Sequence, residues 1–189
     1  MAKCIKDFIM KECPELALKF SSKKNKVSKD EEGNQCFLPL GFTFSFPMEQ
    51  LSINVGKLKT WTKSFDLSDA IGKDARELLQ ESINRIGNEF NIKIAAIIND
   101  STGTMIKGSF MNRNCIAGFI LGSGSNSCYV EKIENVKKWT QHDQCFDKIK
   151  DILINTECGG FGDNGCLDFV KTEYDQKLDS QTLFPGSFT

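Results

Sequence analysis

Residues 92–104, Ile92-Lys93-Ile94-Ala95-Ala96-Ile97-Ile98-Asn99-Asp100-Ser101-Thr102-Gly103-Thr104, decide how this chain is read. The run from Ile92 to Ile98 is short, apolar and rich in β-branched residues, which is the composition of a buried strand. It stops at an amide and a carboxylate, and Ser101, Thr102 and Gly103 precede a resumed apolar pattern at Met105 and Ile106. In open α/β sheets, ligands meet the protein at the carboxyl ends of strands. Asp100 therefore stands where a rigid element would hold a catalytic carboxylate within reach of a substrate. The same residues also suit a helix cap. Asp100 or Ser101 would satisfy the free amides of the next helix, a commoner task than catalysis. The pattern alone leaves both roles open.

Working outward, the 189 residues suffice for one large domain or two small ones with a substantial core. Apolar residues at 40% and charged residues at 26% place the chain among ordinary globular proteins. A formal net charge of -1 supplies no field to gather nucleic acid or an anionic membrane. No apolar run is long enough to span a bilayer. The N-terminus, with Lys3, Lys6 and Asp7 inside a mixed helical pattern, does not read as a signal peptide. A cytoplasmic location is expected. Cys4, Cys13, Cys36, Cys115, Cys128, Cys145, Cys158 and Cys166 form no C-x-x-C pair and are expected to be reduced thiols serving as small buried hydrophobes. His142, the single histidine, lies in a polar run, and no Cys/His cluster has ligand spacing. No metal site is expected.

Before the decisive stretch, Ile5, Phe8, Ile9 and Cys13 fall on one helical face that Pro14 interrupts. Residues 21–35 are almost wholly polar and read as a solvated loop. From Phe37 to Phe46 the pattern becomes a strand, with Phe42, Phe44 and Phe46 on one face and Thr43 and Ser45 on the other, ended by Pro47. Extended pieces are expected around residues 53–55 and 58–63, with the turn at Gly56. Ile71, Ala75, Leu78, Leu79, Ile83, Ile86 and Phe90 recur at helical spacing, and Gly87 lies near the end. Strand, helix and strand in this order argue for an α/β sheet.

After the decisive stretch, residues 117–121 and 127–130 read as strands joined by Gly122-Ser123-Gly124-Ser125-Asn126. This glycine-serine hairpin tip could cradle a phosphate or simply turn the chain. Residues 152–157 form another apolar strand ending in a carboxylate, Glu157. A glycine-rich loop follows, then a helix through Leu167, Val170, Tyr174 and Leu178.

Five pieces, taken together and in order, resemble the eukaryotic hexokinases, including glucokinase: residues 38–47, residues 61–65, residues 99–105, residues 121–129, and residues 155–157 with 161–165. The resemblance implies the actin-like, ribonuclease-H-type α/β fold, here incomplete. Residues 1–104 would be a partial small lobe with sugar-binding and lid segments, and residues 105–189 the start of a large lobe with a phosphate-binding hairpin. It further implies transfer of the γ-phosphoryl group of Mg-ATP, as co-substrate, to the 6-hydroxyl of a hexose such as glucose. Under it Asp100 corresponds to the base that takes the hydroxyl proton, and Lys63 to the lid lysine near sugar and phosphate. Ser45, Thr62, Lys63, Asn99, Asp100, Asn126 and Glu157 match sugar-binding positions, while Gly122, Ser123 and Gly124 match the hairpin that contacts ATP phosphate. These residue types suit the chemistry. Phosphoryl transfer needs positioning and charge neutralisation, and a hexose presents hydroxyls that both donate and accept.

The pattern also departs from the family. The Asp-x-Gly-Gly-Thr phosphate motif is not among these residues, and Pro185-Gly186 runs into Ser187-Phe188-Thr189 where the family has a sugar-binding glutamate. Ser64 stands for a lid glycine, Ser123 for threonine and Cys158 for tryptophan. The expectation is that this chain alone has little or no kinase activity. The alternative function is a non-catalytic hexose-binding remnant or interaction module.

Overall fold

The computed structural model describes residues 1–20, 37–63, 65–87, 89–122, 124–138, 149–182 and 185–186. Two units emerge, Met1–Trp61 with Leu67–Ile98, and Thr62–Asp66 with Asn99–Thr189.

In the first unit, α1 (Ala2–Glu12) buries Ala2 and Ile9. Pro14 both ends it and opens α2 (Pro14–Phe20), because a first-turn proline sacrifices no helical hydrogen bond. β1 (Leu38–Thr43) lies parallel to β4 (Ile92–Ile98), with Leu38 opposite Ile92 and Thr43 opposite Ile98. The strand expected through Phe46 is shorter than its hydrophobic alternation. Its ladder closes with the Phe44 amide donating to the Ile98 carbonyl at 2.9 Å, where β4 itself ends. The phenylalanine alternation continues into an aromatic cluster instead. Phe44 lies 5.5 Å from Phe42 and 5.2 Å from Phe46, and Trp61 meets Phe46 edge-on at 4.7 Å, measured between ring centroids.

β2 (Met48–Ser52) and β3 (Val55–Leu58) form an antiparallel hairpin. Its turn falls at Ile53 and Asn54 rather than at Gly56, which is buried inside β3. A Cβ on Gly56 would sit 2.7 Å from Met48 Sδ and 3.3 Å from Ile97 Cγ2, so this glycine permits close packing and makes no turn. α3 (Ala75–Arg85) is shorter than the apolar spacing suggested. Asp74 caps its start by accepting the Arg76 amide at 3.0 Å, and Gly87 follows its end with φ 83°. Ile71 and Ile86, outside those limits, are exposed. Leu79 and Ile83 of α3 pack with Ile9, Phe90, Ile92 and Ile94, while Phe44, Leu58, Ala75 and Ile97 form a second buried cluster. β4 buries Ile92, Ile94 and Ile97 and exposes Lys93 and Ala95, its alternation broken at Ala95 where the register with β1 slips by one residue.

In the second unit, α4 (Asp100–Met111) packs on an antiparallel sheet of β5 (Ala117–Leu121), β6 (Ser125–Lys132) and β7 (Asp151–Asn155), in that order. Gly118 makes the approach possible. A Cβ there would lie 2.6 Å from the Ser101 carbonyl oxygen and 2.8 Å from Met105 Cβ. The helix expected through residues 167–178 is broken. A single 3₁₀ turn at Asp168–Val170 precedes α5 (Glu173–Asp179), because Thr172 and Asp175 close a capping box that restarts the backbone.

Cys4, Cys13, Cys115, Cys128, Cys158 and Cys166 are free thiols, and only Cys128 among them is buried. The expectation of buried cysteines therefore holds for one of the six described. Among the described residues no helix is long and apolar enough to cross a membrane, and no group of three His, Cys, Asp or Glu is placed to hold a metal ion. The polar run containing His142 lies outside the described residues.

Candidate active site

The apolar strand β4 ends at Ile98, and the next residue, Asn99, caps α4 in extended conformation (φ -67°, ψ 151°). Its Oδ1 accepts the Ser101 amide at 2.9 Å, so the capping residue is Asn99 and neither Asp100 nor Ser101. Asp100 opens the first turn of a twelve-residue helix, at the positive end of its dipole. Its Oδ1 accepts the same Ser101 amide at 2.8 Å, and among the described residues its Oδ2 has no hydrogen-bond donor. The carboxylate is half-buried.

Around this turn lies a network of amides and hydroxyls. Asn99 is buried, and its Nδ2 donates to Glu157 Oε1 at 3.3 Å. Ser101, fully buried, donates through Oγ to Asn99 Oδ1 at 2.7 Å, with Asn155 Oδ1 at 3.2 Å. Asn126 Nδ2 donates to Asn155 Oδ1 at 2.8 Å and reaches Ser101 Oγ at 3.2 Å and Asn99 Oδ1 at 3.3 Å. Its Oδ1 accepts the Ser127 amide at 2.8 Å and the Thr156 hydroxyl at 3.3 Å. Buried polar groups paired this fully resist rearrangement, which gives the site its rigidity.

Glu157 leaves β7 in the left-handed conformation (φ 48°), unusual for a residue with a side chain. Both of its donors, Asn99 and Asn155, reach Oε1, the latter at 2.7 Å. Oε2 has no donor among the described residues. Lys63 also adopts positive φ, at 57°, and its Cε would lie 3.5 Å from a Cβ placed on Gly124 of the hairpin tip. The Gly122 amide donates to the Gly124 carbonyl at 3.0 Å, which tightens that tip. Such strained residues persist only where surrounding contacts over-determine them, and they cluster at functional sites.

Next to Glu157, the Thr156 and Ser127 hydroxyls lie 2.9 Å apart, and Ser127 Oγ is 3.7 Å from Cys158 Sγ. Hydrogen bonding from Thr156 holds the Cys158 thiol below its ordinary range, opposed by burial and assisted by Ser127.

The second unit therefore contains Thr62, Lys63, Asn99, Asp100, Gly122, Gly124, Asn126 and Glu157. Ser45 belongs to the first unit, half-buried just beyond β1. Ser123 lies outside the described residues. Asn155, Ser101 and Thr156 were not expected as site residues. The signal was present in spacing, since Asn155 stands two positions before Glu157 and Ser101 two after Asn99, at the ends of apolar strands.

The network thus gathers side chains from the start of α4, from β6 and from the exit of β7, with Lys63 close to Gly124. Two hexokinase family models match the chain, one over residues 1–110 and the other over residues 116–189. Human hexokinase HKDC1 is 46% identical over 151 residues, covering 79% of this chain and 16% of the relative. Human hexokinase-1 is 44% identical over 149 residues, with the same coverage of 79% and 16%. The solved hexokinase of Schistosoma mansoni, complexed with glucose, superposes with a TM-score of 0.68 at 28% identity, covering 99% of this chain and 36% of that one. A second solved hexokinase gives a TM-score of 0.57 at 28% identity, with coverages of 99% and 35%. The chain belongs to the hexokinase family. It spans about a sixth of the length of the curated relatives it matches, 16% in each of these two. The α/β fold expected from the sequence is that of these solved kinases, in part.

Proposed function

We propose that this chain carries the hexose-binding part of a hexokinase-type phosphotransferase, which moves the γ-phosphoryl group of Mg-ATP to the 6-hydroxyl of glucose. One observation carries the reading: Asp100 Oδ2 and Glu157 Oε2 are both without donors among the described residues, in a unit where Asn99 pairs directly with Glu157. Two carboxylates held by protein donors on one oxygen each can accept sugar hydroxyls on the other. Asp100 then orients the 6-hydroxyl and takes its proton as the oxygen attacks the γ-phosphorus, whose bond to the bridging oxygen breaks to release ADP. Lys63, lying near Gly124, offsets charge developing on the phosphoryl oxygens. The magnesium ion would arrive with ATP as part of the co-substrate. The proposed division is a partial small lobe, residues 1–104, and the start of a large lobe, residues 105–189. The reaction belongs to hexose entry into glycolysis, and the proposed location is the cytoplasm.

Calorimetric titration of the 189-residue chain with glucose tests this reading. Saturable binding by the wild-type chain, weakened at least about tenfold in Asn99→Ala, is the expected result. A folded wild-type chain with no saturable response to glucose would overturn it.

A further inference from the structure

We infer that Asn155 is a positioning residue for hexose recognition, which fixes the Glu157 carboxylate and the Asn126 amide through one planar side chain. The inference rests on the hexose-binding reading above and goes beyond it, to a residue that contacts the sugar only through others. Asn155 is the last residue of β7, half-buried, and its two polar atoms face different partners. Nδ2 donates to Glu157 Oε1 at 2.7 Å, shorter than the 3.3 Å contact from Asn99. Oδ1 accepts from Asn126 Nδ2 at 2.8 Å and lies 3.2 Å from Ser101 Oγ.

An amide is the side chain of this size that donates to a carboxylate and accepts from an NH₂ group at once. Aspartate would retain the acceptor but bring a second negative charge against Glu157. Serine would be too short to span both. Because both donors among the described residues converge on Oε1, Oε2 is left as the remaining acceptor. Glu157 needs such a tether. It lies just past the strand, exposed and in a left-handed conformation, where the carboxylate has few packing neighbours to hold it. Asn155 supplies the tether from within the sheet, and the buried Ser101 beneath it ties the same point to the cap of α4. Sugar hydroxyls would therefore meet an acceptor whose position is set before binding, which reduces the ordering cost of recognition.

The test compares glucose with its 2-, 3- and 4-deoxy analogues, titrated against the 189-residue chain, Asn155→Ser and the isosteric Asn155→Asp. Thermal unfolding by circular dichroism checks that each variant is folded. Loss of a charge-assisted hydrogen bond predicts glucose binding weaker by about tenfold in Asn155→Ser and by at least as much in Asn155→Asp. For the deoxy sugar that lacks the hydroxyl taken by Glu157, wild type and variants should bind equally. General loosening of the site would instead weaken glucose and every analogue alike. That result, or unchanged glucose affinity in both variants, would overturn the positioning role while leaving hexose binding intact. Absence of glucose binding in wild type itself would overturn the underlying reading and, with it, the role of Asn155.

Discussion

Asn99 joins the start of α4 to Glu157 at the exit of β7. One end of its amide accepts the Ser101 amide at 2.9 Å, and the other donates to Glu157 Oε1 at 3.3 Å. Under the proposed function a single side chain serves both the cap and hexose binding, and two substitutions separate these roles. Asn99→Ala is expected to lose about 1 kcal/mol of stability from the missing cap. Asn99→Ser, which retains a capping oxygen, should recover most of that stability without recovering glucose affinity, because serine cannot reach Glu157. Chemical denaturation and calorimetry on the same preparations separate the two effects.

Gly118 limits how closely α4 can approach the sheet. Alanine there would place Cβ 2.6 Å from the Ser101 carbonyl oxygen and 3.0 Å from the Met105 amide nitrogen, both backbone atoms that cannot rotate away. Gly118→Ala should cost on the order of 1–3 kcal/mol through overpacking. Because the displaced turn begins at Asp100, the same substitution should also weaken glucose binding. Gly56→Ala is expected to be milder, since its shortest contact is the flexible Met48 side chain. Paired urea titrations test the order of the two.

Ile97 is fully buried and packs with Phe44, Leu58 and Ala75. Ile97→Ala should lower the stability of the first unit by about 2–5 kcal/mol, the range for a large-to-small change in a filled core. Tryptophan fluorescence in a Trp139→Phe background, where Trp61 packed against this cluster is the one remaining tryptophan, gives a direct readout of its unfolding. A loss below about 1 kcal/mol would contradict the packing described.

Cys158 should alkylate at lower pH than an ordinary thiol. Hydrogen bonding from Thr156 favours the thiolate, so the folded-state value lies below the unfolded one. The thiolate fraction, and with it the rate of reaction with iodoacetamide, therefore rises earlier on the alkaline side. Removing the donor in Thr156→Val should move the pH midpoint upward, measured by mass spectrometry of the Cys158 peptide. A midpoint identical in both proteins would contradict the assignment.

The elements most legible in the sequence were those whose burial follows a local period. The short apolar run Ile92–Ile98 announces β4 and the helical spacing of Leu79 and Ile83 announces α3, because both signals act within a few residues. Boundaries were less legible. Phe46 continued the alternation of β1 after its partner strand had ended, and Ile71 and Ile86 extended the helical period past the cap and the glycine that bound α3. Gly56 suggests a turn in the sequence but sits inside β3, because a glycine required for close contact looks the same in sequence as one required for a bend.

What the amino-acid order determined by itself is the α/β class, the family, and the placement of Asp100 and Glu157 just after apolar strands. Strand exits and short motifs are written in neighbouring residues. The tertiary structure decided which residue caps α4 and which partners share the Glu157 carboxylate. It also joined Asn99, Asn126 and Asn155 to the buried Ser101 in one network. Those partners are separated by up to 58 positions along the chain, and hydrogen bonds over that span exist only after the sheet and helix have assembled.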